Sequence, residues 1–142
     1  TLAGSMEVIR GSVHDLKDDS IDLAEAMQSI FSDTPYEVHF YCGIENTDEL
    51  PNDVKYCFLM AAKEALTNTT KHSDATQIKI TLQEHPVLYQ LRIHDNGSRP
   101  PLKTEGMGLG NIESRVGGAG GYCTFSYENG FKIFITLPKE KA

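Results

Sequence analysis

The chain has 142 residues, 39% of them hydrophobic, which is the size of one domain with a substantial core. Its 13 lysines and arginines face 20 acids, a net charge of −7, so it builds no positive field for a phosphate backbone and nucleic acid is excluded as a macromolecular partner. Three cysteines, Cys42, Cys57 and Cys123, are odd in number and form no CxxC pair, which excludes a disulfide scaffold and a thiolate zinc site and fits a reducing, cytoplasmic setting. No apolar run approaches the roughly 18 residues of a membrane span, so no membrane contact is expected of this chain itself. Thr1 in place of Met reads as a piece of a longer chain.

Over the first thirty residues Leu2, Met6, Ile9, Val13 and Leu16, then Leu23, Met27 and Ile30, recur in alternating steps of four and three, with Ser20 where an apolar residue is due. That is coiled-coil spacing. It predicts a helix over 1–16, a break, and a second helix over 20–31, with Asp18, Asp19 and Ser20 as a capping cluster. Tyr36, Val38 and Phe40 alternate with Glu37, His39 and Tyr41, which predicts a strand. The acidic segment Glu45 to Glu49 reads as a loop. Pro51-Asn52-Asp53 then opens a long helix running to about His72, with Asp53 at its positive dipole end.

Gln77 to Leu82 alternates, and so do Val87, Tyr89, Leu91 and Ile93 across a turn at Glu84-His85-Pro86; the two runs predict an antiparallel pair. A glycine-rich loop follows from Asn96 to Gly110, then a short helix over Leu109 to Val116 and a turn at Gly117 to Gly121. Strands over Tyr122 to Tyr127 and Phe131 to Leu137 are joined by Asn129-Gly130, a strong hairpin signal. The order predicts an α/β two-layer sandwich, with helices on one face of a mixed, mostly antiparallel sheet. Residues 1–19 form a helical stalk in this reading and 20–142 the globular domain.

Three constellations can carry chemistry. Glu64, Asn68, Lys71 and His72 lie at offsets 0, +4, +7 and +8, on one stripe of the long helix. They offer a proton acceptor, a hard-metal ligand and phosphate partners, although such a stripe also fits a solvated helix face. Asp95 continues the inward row of its strand, and a buried acid must be paired. The donor amine of an adenine is a natural partner, and Gly97 permits close approach; Asp95-Asn96-Gly97 is equally good turn chemistry. Gly106-Met107-Gly108-Leu109-Gly110 runs into a helix start, where free N–H groups and the dipole favour an anion, or where an ordinary flexible connection would serve. The sequence fits neither the lysine-bearing phosphate loop nor the dinucleotide fingerprint.

Taken in this order, the segments resemble the ATP-binding domain of sensor histidine kinases, within the wider group that includes gyrase-type ATPases and heat-shock chaperones and shares the Bergerat fold. Glu64-Ala65-Leu66-Thr67-Asn68-Thr69-Thr70-Lys71-His72 is similar to the N box in its form among nitrate- and desaturase-sensor kinases. Asp95-Asn96-Gly97 is similar to the first glycine box and Gly106 to Gly110 to the second, and the resemblance runs from about Ser20 to Lys139. It implies ATP and Mg2+ as ligands. Asn68 would hold the metal, Glu64 would act as catalytic base or polarising carboxylate, and Lys71 and His72 would lie near the phosphates. Asp95 would accept from the adenine amine, with Gly97 leaving the ring room. Gly106, Gly108, Leu109 and Gly110 would form a lid over the phosphates, short and mobile because only eight residues separate Gly97 from Gly106.

The resemblance implies transfer of the γ-phosphate to a histidine on an upstream helical hairpin of a homodimer, and from there to an aspartate of a response regulator. His14, followed by Asp15, imitates that acceptor, but the chain between His14 and Pro51 has no room for a second hairpin helix, so 1–16 reads as the end of that hairpin. The alternatives are an anti-sigma-type serine kinase, against which the stalk periodicity argues, and a nucleotide-binding module without transfer, against which Glu64 and Asn68 together argue.

Overall fold

The computed structural model describes residues 21–98 and 109–139. The expected stalk over 1–16, the 1–19 segment, His14, and lid residues Gly106 and Gly108 lie outside the described residues.

Helix α1 spans Leu23–Phe31 and buries Leu23, Met27 and Phe31 at helical spacing. Its cap is Asp22, whose extended backbone lets the carboxylate accept from the N–H groups of Ala24 (2.9 Å) and Glu25. This corrects the expected helix start at Ser20. The Thr47 hydroxyl also donates to Asp22 Oδ1, and mainly this holds the carboxyl below its ordinary range. The acidic loop is therefore anchored: Ile44, Thr47 and Leu50 are buried at intervals of three while Glu45, Asp48 and Glu49 face water. Lys55, only 3% exposed, closes the loop by donating to the Asp48 carbonyl at 2.7 Å.

Strand β1 (Glu37–Gly43) is followed by helix α2 (Asn52–His72) and the strands β2 (Gln77–Glu84) and β3 (Leu88–Asp95). Helix α3 (Leu109–Gly118) and strands β4 (Tyr122–Tyr127) and β5 (Phe131–Pro138) complete the fold. The sheet order is β1-β2-β3-β5-β4, with β1 parallel to β2 and every other pair antiparallel. Parallel pairing of β1 and β2 requires a crossover, and α2 supplies it. Ile78, Ile80 and Leu82, then Leu91 and Ile93, then Ile133, Ile135 and Leu137 line the inner face, where α1, α2 and α3 cover them. The expected two-layer sandwich is what forms.

Val87 departs from the expected inward row. It stands 71% exposed because the chain turns there, His85 N–H donating to Leu88 O at 2.8 Å, and β3 begins one residue later. No helix among the described residues is long and apolar enough to cross a membrane.

Candidate functional site

The inner row of β3 ends in Asp95, which is 6% exposed. Its carboxylate is held by three donors. Oδ1 accepts from the backbone N–H of Gly97 (2.9 Å) and of Phe131 (3.0 Å), and Oδ2 accepts from the Thr69 hydroxyl (3.1 Å). Burying a carboxylate is costly unless hydrogen bonds replace its water, and here the end of β3, the start of β5 and helix α2 each contribute one. Sequence reasoning found Asp95 from strand parity. It missed Thr69 and Phe131, because neither position carries a local signal of contact with Asp95.

The flanking residues keep this corner in shape. Asn96 laces the end of β3 to the start of β2, its Oδ1 accepting from Thr76 N–H (2.8 Å) and Gln77 N–H (2.9 Å). A Cβ on Gly97 would lie 2.2 Å from the Ser73 Oγ at the end of α2, so here the glycine admits Ser73. The Gly97 carbonyl accepts from the Tyr127 hydroxyl at 3.1 Å. Gly130 comes closer still: a Cβ there would lie 1.7 Å from the Asp95 carbonyl oxygen. The Asn129-Gly130 hairpin, with both residues at positive φ, is thus also packed against the site.

Helix α2 does not present the expected stripe as one surface. Asn68 is 3% exposed and lies beside buried Thr69, Glu64 is half-buried, and Lys71 is exposed. Apolar neighbours at Ala61, Ala62 and Ala65 draw that side of the helix into the core, while the two-residue advance from Thr69 to Lys71 returns to water. The side chain of His72 lies outside the described residues. Asn68 Nδ2 is buried and has no hydrogen-bond partner among the described residues. Such an amide costs roughly 1–3 kcal/mol unless a ligand engages it. Amide nitrogen and oxygen exchange by a flip, so this orphaned end fits an oxygen-seeking divalent ion such as Mg2+.

Glu64 lines a separate open cleft of about 280 Å³ between α2 and α3, together with Met60, Lys63, Thr67 and Asn111. Leu109 is buried under the first turn of α3, and Gly110 at that turn is exposed with open space around its Cα. The structure therefore brings Thr69, Asp95 and Gly97 together and sets Glu64 with Asn111 along the α2–α3 cleft, with Asn68 on the Glu64 side of α2, one residue before Thr69. His39, His85 and His94 are half-buried, each with a partner: Glu37 (2.8 Å), Gln90 (3.0 Å) and the Glu128 carbonyl (3.1 Å).

No protein-family model matches the chain. Among curated proteins it is 27% identical over 128 residues to the signal transduction histidine-protein kinase/phosphatase UhpB of Salmonella typhimurium, covering 85% of this chain and 25% of that protein. It is 36% identical over 80 residues to the sensor histidine kinase YvfT of Bacillus subtilis, covering 56% of this chain and 22% of the relative. The chain thus spans about a quarter of the length of the curated relatives it matches. Among solved structures, the catalytic domain of histidine kinase ThkA superposes with TM-score 0.64 at 17% identity, covering 84% of this chain and 93% of that one. The ATP-binding domain of PrrB from Mycobacterium tuberculosis gives 0.63 at 18%, covering 83% and 94%. The relatives of this chain are sensor histidine kinases, and its fold is that of histidine-kinase catalytic domains.

Proposed function

We propose that the chain is the ATP-binding catalytic domain of a two-component sensor histidine kinase, in the branch of the nitrate and desaturase sensors to which its N box is similar. The observation that carries this reading is Asp95: a buried carboxylate, already held by three donors, at the end of the sheet and next to the α2 segment that bears the orphaned amide of Asn68. An ionised carboxylate only accepts, so it selects a purine with an exocyclic amine over one with a carbonyl at that position.

Asn68 would hold Mg2+, which when bound neutralises phosphate charge. The remaining work is positioning, as expected for phosphoryl transfer. Lys71, exposed near the end of α2, and His72 would meet the phosphates. The N-terminal turn of α3, at Leu109 and Gly110, would offer N–H groups with the helix dipole behind them, and Gly106 and Gly108 would complete that loop. Glu64, in its cleft, would accept the imidazole proton as an incoming histidine takes the γ-phosphate. That histidine would come from the helical hairpin of a homodimeric parent, and a response regulator would receive the phosphoryl group.

Calorimetric titration with Mg-ATP tests the binding. Transfer of labelled γ-phosphate to a supplied histidine-bearing hairpin tests the chemistry, and Asn68→Ala should abolish it. Absence of heat with well-folded protein refutes the reading; binding without transfer reduces it to a nucleotide-binding module.

A further inference from the structure

Asp95 has a distribution of partners that its sequence position does not reveal. A carboxylate offers about four acceptor positions, two on each oxygen. Two backbone N–H groups, of Gly97 and Phe131, take both positions on Oδ1 at 2.9 and 3.0 Å. Thr69 Oγ1 takes one position on Oδ2 at 3.1 Å. Among the described residues, a single acceptor position remains, and it is on Oδ2.

The torsion that orients a carboxylate plane is broad. Donors on Oδ1 alone leave that plane free to rock about the pinned oxygen, and a donor on Oδ2 fixes it. Thr69 is well suited to be that donor. It is 5% exposed, so water does not compete for its hydroxyl, and it is carried on a 21-residue helix, which limits its side chain to two rotamers. The three donors come from α2, the turn after β3 and the start of β5, so the plane is defined against three parts of the fold at once.

We infer that Thr69 is a positioning residue that sets the purine selectivity of the site, by fixing the Asp95 carboxylate so that one acceptor on Oδ2 faces the ligand's exocyclic amine. The inference rests on the nucleotide-binding reading above and assigns its base selectivity to a residue that touches Asp95 rather than the nucleotide. Thr69 thereby joins the two halves of the site, since it directly follows Asn68 on the same helix.

The test compares ATP with inosine triphosphate, which replaces the amine by a carbonyl and leaves the triphosphate unchanged. Dissociation constants are measured for the wild type, Thr69→Val and Thr69→Ser. Thr69→Val should lower the preference for ATP by about tenfold, roughly the worth of one hydrogen bond to a charged group, with binding of inosine triphosphate little changed. Thr69→Ser, which keeps the hydroxyl, should restore the preference. Equal weakening of both nucleotides in Thr69→Val assigns Thr69 a merely structural role and overturns the inference. If Thr69→Val does not fold, Thr69→Ser decides alone, and loss of preference there also overturns it. A wild type that binds neither nucleotide refutes the nucleotide-binding reading itself, which is a distinct outcome.

Discussion

Gly130→Ala is a single methyl group in a hairpin turn, 35 residues from Asp95 in sequence, and it should damage both stability and the site. The added Cβ would lie 1.7 Å from the Asp95 carbonyl oxygen and 2.6 Å from its carbon, both backbone atoms that cannot swing aside. Reaching the 3.0 Å floor of real Cβ contacts needs about 1.3 Å of movement. At φ +126° the alanine also occupies a conformation that costs an L residue about 1–3 kcal/mol. Moving the hairpin away stretches the hydrogen bond from Phe131 N–H to Asp95 Oδ1, a loss of about 1.5–3 kcal/mol for a charged acceptor. Together these give about 2.5–6 kcal/mol, a large part of a domain's usual 5–15 kcal/mol. Urea denaturation followed by circular dichroism measures it, and melting should fall by roughly 10 °C or more. Gly117→Ala is the control: its Cβ meets nothing within 4 Å and it sits in α3, so it should stabilise by about 0.5–1 kcal/mol. A Gly130→Ala protein as stable as the wild type would show that the hairpin does not press on Asp95.

Other substitutions separate stability from function. Asn68→Leu removes the orphaned amide and fills similar volume, so the free domain should gain about 1 kcal/mol in denaturant while losing Mg-dependent ATP affinity; a destabilised variant would mean that the amide is satisfied in the folded protein. Cys57 is 3% exposed and its burial pushes the thiol up to about 11, so native protein at pH 8 should alkylate at exposed Cys42 and spare Cys57. Because the folded state raises that pKa, Cys57 supports folding below about pH 9, and the support fades as pH climbs toward 11; stability of Cys57→Ala relative to wild type should therefore improve across that window.

Local signals were enough for the elements. Pro51-Asn52-Asp53 opens α2, which runs to His72 as expected, and Asn129-Gly130 closes the β4–β5 hairpin with both residues at positive φ. They placed the acidic loop correctly but were silent on what anchors it. The acidic loop hides three anchors, Ile44, Thr47 and Leu50, and the capping residue is Asp22, whose carboxylate is shared with Thr47, 25 positions away. The polar stripe of α2 was visible as a spacing, but which of its members is buried depends on what packs against it.

Alternation along a strand is a property of the chain, so the primary structure by itself determined that Asp95 ends an inward row, that Asn68 and Glu64 share one side of a helix, and that the protein is a sandwich of helices on a mixed sheet. Only the tertiary structure decided that β5 inserts between β3 and β4, that β1 runs parallel to β2 across α2, and that Thr69, Gly130 and Phe131 converge on a single carboxylate. Those contacts join positions 26 to 36 apart in sequence, and a pairing between distant segments leaves no periodic trace in either segment.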